Sequence, residues 1–311
     1  MNNIANKQII CEELIAQAKE DKDIIVLASD SKGSASMAEF EKQFPQQFIE
    51  MGIAEQNLVG VGSGLAAAGK KPYITSPACF LSMRSAEQVK VDLAYSNTNV
   101  KLIGISGGIS YGALGMSHHS VQDLALMRAI PNMTVMIPAD RYETASMMKA
   151  LKDHVGPAYI RVGRNPVPDV YDSEPEFHIG KANVIQEGND IAIMAIGEMV
   201  TFAKEAACLL EKDGLSAQVL NIHTIKPLDE AAIIEVAKKT SRVITVEEHS
   251  IYNGLGSAVA QVLGENYPVK MKILGIPDEP AIAGKSGEVY EHYGLTGEAI
   301  YKVAKKMIQS I

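Results

Sequence analysis

The sequence predicts an α/β protein of two domains, each a mostly parallel sheet flanked by helices. Short apolar runs alternate with helical stretches, as they do where helices cross over between parallel strands. The alternation stops at a proline-rich acidic segment and then restarts. A length of 311 residues also sets the expectation at about two domains.

The runs 23–28 (DIIVLA), 100–106 (VKLIGIS), 133–137 and 158–162 read as buried strands. Helical patterns fall at 8–20, 55–68, 84–95, 121–128 and 142–151. Residues 164–175 (RNPVPDVYDSEP) hold three prolines. Proline fixes φ and restricts the residue before it, so this stretch reads as a linker. Beyond it, strands are expected at 191–196, 217–222, 243–246 and 269–274, with helices at 200–212, 228–239 and 255–263. Thr296 can N-cap a closing helix to 308. The domains are thus placed at 1–165 and 181–311, with 166–180 between them. In such sheets ligands sit at the carboxyl ends of the strands.

Composition narrows the function classes. The net charge is −8 with acids and bases interspersed, whereas a nucleic-acid surface needs a basic stripe. Cys11, Cys79 and Cys208 form no CxxC pair, which suits a reducing compartment. The first residues lack the basic-then-apolar order of a signal peptide, and no apolar run is long enough to span a bilayer. The expectation is a cytoplasmic protein with neither a nucleic-acid nor a membrane partner.

The most informative stretch is 48–69, FIEMGIAEQNLVGVGSGLAAAG. A short apolar strand enters a turn at Gly52, and Glu55 then opens a helix. By itself such an acid favours the positive end of the helix dipole. Gly60, Gly62, Gly64 and Ala66 to Ala68 suit a close helix or subunit contact.

MGIAEQNLVGVGSGLA resembles the signature of the pyrimidine-binding domain in transketolase-like thiamine diphosphate enzymes. The resemblance implies that Glu55 contacts N1′ of the cofactor's aminopyrimidine. A carboxyl group in an apolar pocket has its charged form disfavoured, so it can share a proton with N1′. That shifts the 4′-amine towards its imino tautomer, which takes the thiazolium C2 proton.

The likeness continues through 71–93, KPYITSPACFLSMRSAEQVKVDL. Here it implies that Phe80 stacks on the pyrimidine ring. Pro77 stands where a first aromatic is usual, so one stacking face is weaker or supplied differently. In 105–127, ISGGISYGALGMSHHSVQDLALM, the triplet Ser117-His118-His119 occupies the place of a Thr-His-Gln-like triplet. His118 then matches a histidine near the reacting carbonyl oxygen, where it can donate to a developing alkoxide. The cofactor set implied by the resemblance is Asp30, Ile53, Glu55 and Phe80. The substrate set is Ser34, His118 and Arg164, whose guanidinium fork suits a phosphate. Outside the resemblance Phe80 reads as a core aromatic, Asp30 as a turn acid and Arg164 as a linker charge.

The departures from the family pattern are on the substrate side. Ser106 stands where the family has a histidine, Leu114 where it has an aspartate that reads a sugar hydroxyl, and Lys7 at about the place of a phosphate-binding arginine. A site stripped of such partners has less to hold a substrate hydroxyl with. The expected substrate therefore differs from the usual pentose phosphate pair.

The family's diphosphate-binding mark, GDG followed by an asparagine, does not occur in this sequence. Such a motif gives Mg2+ the oxygen ligands it prefers. The expectation is a separate N-terminal transketolase subunit that carries GDG, holds the metal and shares thiamine diphosphate with this chain. An α2β2 heterotetramer is then expected, with no metal ligand in this chain. The second domain resembles the transketolase C-terminal domain through 246–256, VEEHSIYNGLG. It is read as a buttress, with His223 and His249 structural. The leading expectation is the C-terminal half of a two-subunit transketolase that moves a two-carbon ketol unit between sugar phosphates. The alternatives are the β subunit of a 2-oxoacid dehydrogenase and a noncatalytic partner subunit.

Overall fold

The computed structural model describes residues 4–309. Before the linker lie strands β1 (Ile24–Ala28), β2 (Phe48–Glu50), β3 (Lys71–Pro77), β4 (Lys101–Ile105), β5 (Thr134–Met136) and β6 (Ala158–Arg161). After it come β7 (Asn183–Gln186), β8 (Ile191–Ala195), β9 (Ala217–Asn221), β10 (Thr224–Lys226), β11 (Arg242–Ser250) and β12 (Lys270–Ile276). They form two sheets, ordered β10-β5-β6-β4-β3-β1-β2 and β12-β11-β8-β9-β7. Every pairing among β1 to β6 is parallel, so helices must cross the faces between strands. The strands β1, β4 and β8 are buried along their whole length and, apart from Lys101 at the start of β4, apolar, as strands covered on both faces must be.

Most expected elements are present, with ends shifted by a residue or two. The closing helix Gly297–Gln309 begins with the expected cap, Thr296 Oγ1 accepting from Ala299 N–H at 3.4 Å. Three features differ from expectation. β3 is a full strand although proline and serine break its apolar pattern. The stretch expected as a helix over 84–95 is instead one short turn, Ala86–Gln88, and a π-helical segment, Val89–Tyr95. The wider winding turns Val89, Leu93 and Ala94 into the core. Third, β10 comes after the linker in sequence but pairs antiparallel with β5 in the first sheet.

That crossing strand is one of several ties between the sheets. Ile137 N–H donates to the His223 carbonyl at 2.8 Å just beside it. One apolar cluster runs without interruption from Leu27 and Ile74 on the first sheet to Met194 and Val243 on the second. The helix Glu55–Ala67 packs Gly62 against Ile74, where a Cβ would overlap that side chain, while Gly64 faces open space. Among the described residues, no helix is long and apolar enough to cross a membrane, and no group of three acidic, histidine or cysteine side chains is placed to hold a metal.

Candidate active site

The parallel strands of the first sheet all deliver their carboxyl ends to one edge. Asp30 follows β1, Ile53 and Glu55 follow β2, and Phe80 follows β3. Ser106 and His118 follow β4, and Arg164 follows β6. The sheet topology thus gathers residues that lie more than a hundred positions apart in sequence.

Glu55 begins its helix and is only 4% exposed. Arg84 Nη1 donates to both of its carboxylate oxygens, each at 3.2 Å. The same guanidinium lies 4.1 Å from the centroid of the Phe80 ring. Ile53, Glu55, Asn57 and Arg84 are among the residues lining a cavity of ≈ 450 Å³. These residues fit an aminopyrimidine. A buried acid and a half-buried aromatic ring are already bridged by one flat group carrying N–H donors. An aminopyrimidine is also flat, stacks on an aromatic face and bonds a carboxylate through its ring nitrogen. It would compete with Arg84 for both contacts.

His118 is half-buried and joins this group to a second one. Its ring meets Phe80 edge-on at 5.2 Å and Tyr111 edge-on at 5.2 Å. Its Nδ1 lies 3.0 Å from Ser117 Oγ. Arg164 is exposed, with its guanidinium 5.2 Å from the centroid of Tyr111. Lys7 Nζ donates to the Ser34 carbonyl at 2.8 Å. Burial and then the nearby Arg164 charge pull the Lys7 ammonium below its usual range. Lys7 therefore sits beside Ser34, within electrostatic reach of Arg164.

The neighbouring histidines separate cleanly. His119 is buried, its Nε2 lies 3.1 Å from the Gly112 carbonyl, and burial lowers its pKa. Only His118 meets Phe80 and Tyr111. Asp30 is exposed at the β1 side of the edge, with φ +51° and its N–H bonded to Glu50 rather than to the Glu55 group. Ile53 is 72% exposed on the cavity rim and Leu114 is 54% exposed on the loop. Ser106 is fully buried with φ +55°, and its hydroxyl has no partner at hydrogen-bond geometry. It is nevertheless near enough to the Tyr111 phenol to pull its pKa down, against burial, which pushes it up more strongly.

Tyr111 is the residue that sequence reasoning passed over. Its only local signal is a large aromatic between Ser110 and Gly112 in a loop otherwise rich in small residues. Arg84 was likewise visible only as part of a longer motif. His223 and His249 are buried, and burial pushes both down to about 4, so they are neutral at pH 7. His223 lies against Phe177 at 4.1 Å, and His249 Nε2 accepts from Ala125 N–H at 3.3 Å.

Comparison with known proteins gives a consistent result. The pattern described as "Transketolase, pyrimidine binding domain" matches residues 2–169, and "Transketolase, C-terminal domain" matches 180–300. An apulose-4-phosphate transketolase subunit of Phocaeicola vulgatus is 47% identical, over 99% of each chain. A 6-deoxy-6-sulfo-D-fructose transketolase subunit of a Clostridium species is 39% identical, over 95% of this chain and 92% of the relative. A solved split-gene transketolase, described as an inactive β4 tetramer, superposes with a TM-score of 0.90 at 39% identity, covering 98% of each chain.

Proposed function

We propose that this chain, which belongs to the transketolase family, is the C-terminal subunit of a two-chain transketolase and moves a two-carbon ketol unit from a ketose to an aldose. The observation that carries the reading is the meeting of Glu55, Phe80 and His118 at one sheet edge. The likeness to transketolase subunits supports it over a 2-oxoacid dehydrogenase β subunit or a noncatalytic partner.

Thiamine diphosphate, when bound, supplies the electron sink for breaking a carbon–carbon bond beside a carbonyl. This chain's residues hold and serve it. Glu55 keeps a proton at N1′ of the aminopyrimidine, and Phe80 gives the ring a stacking face. His118 moves a proton at the substrate's reacting oxygen, where charge develops. Ile53 rims the cofactor cavity, and Asp30 serves the same edge from β1.

Lys7, Ser34 and Arg164 form the far end of the substrate site. The names of the two relatives each carry an oxyanion group, a phosphate in one and a sulfonate in the other. Two cations within electrostatic reach of each other suit such a group, so the substrate is a ketose ending in phosphate or sulfonate. A partner chain with GDG binds the diphosphate and Mg2+ through oxygen ligands, giving an α2β2 heterotetramer. The three unpaired cysteines suit a reducing cytoplasm.

Reconstitution tests the reading. The two chains together, with thiamine diphosphate and Mg2+, are offered apulose 4-phosphate or 6-deoxy-6-sulfo-D-fructose and D-glyceraldehyde 3-phosphate as acceptor. Mass spectrometry should show a product two carbons longer than the acceptor, and neither chain alone should make it. Oxidation of pyruvate with an artificial electron acceptor, without ketol transfer, would overturn it.

A further inference from the structure

We infer that Glu248, on β11 of the second domain, is a positioning residue that holds the loop carrying His118. The loop runs from Ser106 to Ser120, and its one helical piece, the 3-10 segment Gly112–Ser117, is kinked at Gly115 just before His118. Ser106, Gly108, Gly112 and Gly115 have φ of +55°, +60°, +58° and +67°. Such a path persists only where the surroundings fix it. The first domain closes the neck, with Gly108 N–H donating to the Ser120 carbonyl at 3.0 Å and Ser120 N–H donating back at 2.7 Å.

The next N–H along finds its partner across the domain boundary. Ile109 N–H donates to Glu248 Oε1 at 2.8 Å. The approach is so close that a Cβ at Gly108 would overlap the Glu248 carboxyl group. The second domain touches the loop twice more. A Cβ at Gly112 would stand 2.8 Å from the Gly284 carbonyl oxygen, and one at Gly115 would stand 3.2 Å from the Ala283 methyl. One wall of the His118 loop is therefore built by the second domain.

Glu248 is itself held from both sides and is only 5% exposed. Tyr290 O–H donates to Oε1 at 3.0 Å. Arg161, at the end of β6, lies 3.5 Å from Oε2 and donates to the Glu248 backbone carbonyl at 2.7 Å. Arg161 also faces Asp123 at 3.4 Å. Three residues beyond it the chain reaches Arg164. One buried network thus anchors both the His118 loop and the strand that delivers Arg164. The adjacent Glu247 shows the contrast. It accepts from Leu255 N–H at 2.6 Å and Gly256 N–H at 2.8 Å, capping a helix of its own domain.

The positioning geometry stands by itself, while the catalytic use of His118 rests on the proposed function. Hydrogen exchange by mass spectrometry on the full chain tests the geometry. Glu248→Ala leaves the Ile109 N–H without a partner, so exchange in 106–120 should quicken by roughly tenfold or more relative to β8. Glu248→Gln restores a carbonyl acceptor at the same place and should stay within about threefold of the unaltered chain. Tyr290→Phe, a gentler change, should quicken the same segment by a smaller factor. If Glu248→Ala is insoluble, Tyr290→Phe decides. Uniform acceleration across the second domain, or no change in 106–120, overturns the inference in either variant.

In the reconstituted complex, Glu248→Ala should lower kcat by roughly ten- to hundredfold with less effect on KM, because misplacing a catalytic group costs most in the transition state. Unaltered kcat beside quickened exchange would also overturn it. An unaltered complex with no ketol transfer would count against the proposed function, and the exchange measurement would still decide the inference.

Discussion

Glu55 and His118 face the same edge of one sheet, yet Glu55 opens a 13-residue helix whereas His118 rides on a loop with four backbone positions at positive φ. The Glu55 group needs nothing beyond its own domain. Its acid, its cation and its aromatic ring come from two consecutive strand–helix units, those of β2 and β3. The His118 group draws on the second domain for a wall and for the acceptor at Ile109. Sites set on regular elements are placed more tightly than sites on loops, so the loop half needs support that the helix half does not. The comparison also tracks the chemistry. On the proposed function, the group assigned to the cofactor is built within one domain, and the group assigned to the substrate is built across two.

The sharpest way to test that contrast is Glu55→Gln. It should lower kcat for ketol transfer by roughly 10²- to 10⁴-fold, the usual range for a lost proton-handling group, with little change in sugar KM. A loss below tenfold, read in steady-state kinetics of the complex, would remove Glu55 from the proton path and with it the first half of the comparison.

The seam between the domains is the next place to press. His223 is held near pKa 4 by burial, against an ordinary 6.5. As pH falls below 6.5 the unfolded chain takes up that proton first, so stability present above 6.5 drains away towards pH 4. Between about pH 7.5 and about pH 5 the unaltered chain should lose about 2 kcal/mol relative to His223→Gln. Urea midpoints of both proteins at the two pH values measure it, and parallel midpoints would show that His223 contributes no acid sensitivity to the seam.

Arg164→Ala addresses the substrate half directly. KM should rise about tenfold for a phosphate- or sulfonate-bearing ketose while an uncharged ketose is unaffected. Equal effects on charged and uncharged donors would mean that Arg164 does not meet the anion. The smallest effect belongs to Tyr111→Leu, which removes the ring between His118 and Arg164 and should raise the same KM by roughly threefold. Tyr111→Phe should recover most of that, because the ring rather than the hydroxyl makes both contacts.

Much of the fold was legible because it is periodic. Strands such as 23–28 and 191–196 announce themselves as apolar runs, and Thr296 as a cap before an amphipathic helix. Glu55 and Phe80 were legible because each sits in a contiguous motif directly after a strand. The features that escaped have no local signature. β10 is three residues long and finds its partner 88 positions earlier, Met136 against Thr224. The π-helical segment differs from an α-helix by its bonding, not by its composition. Glu248 sits one place from Glu247 and looks the same in sequence, but successive strand residues point to opposite faces and so serve different domains.

β10 also bears on how this polypeptide can be divided. A cut in the linker would leave β5 as a bare sheet margin, its backbone donors and acceptors open to any passing strand. The fragment ahead of the linker would be sticky, and the fragment behind it would carry an orphaned ribbon. The two sequence domains are therefore poor candidates for separate expression or for swapping between relatives. Because β7, β8 and β9 of the second sheet also precede β10, no single cut leaves both sheets intact, and a chimera that respects the mechanical unit would exchange the chain whole.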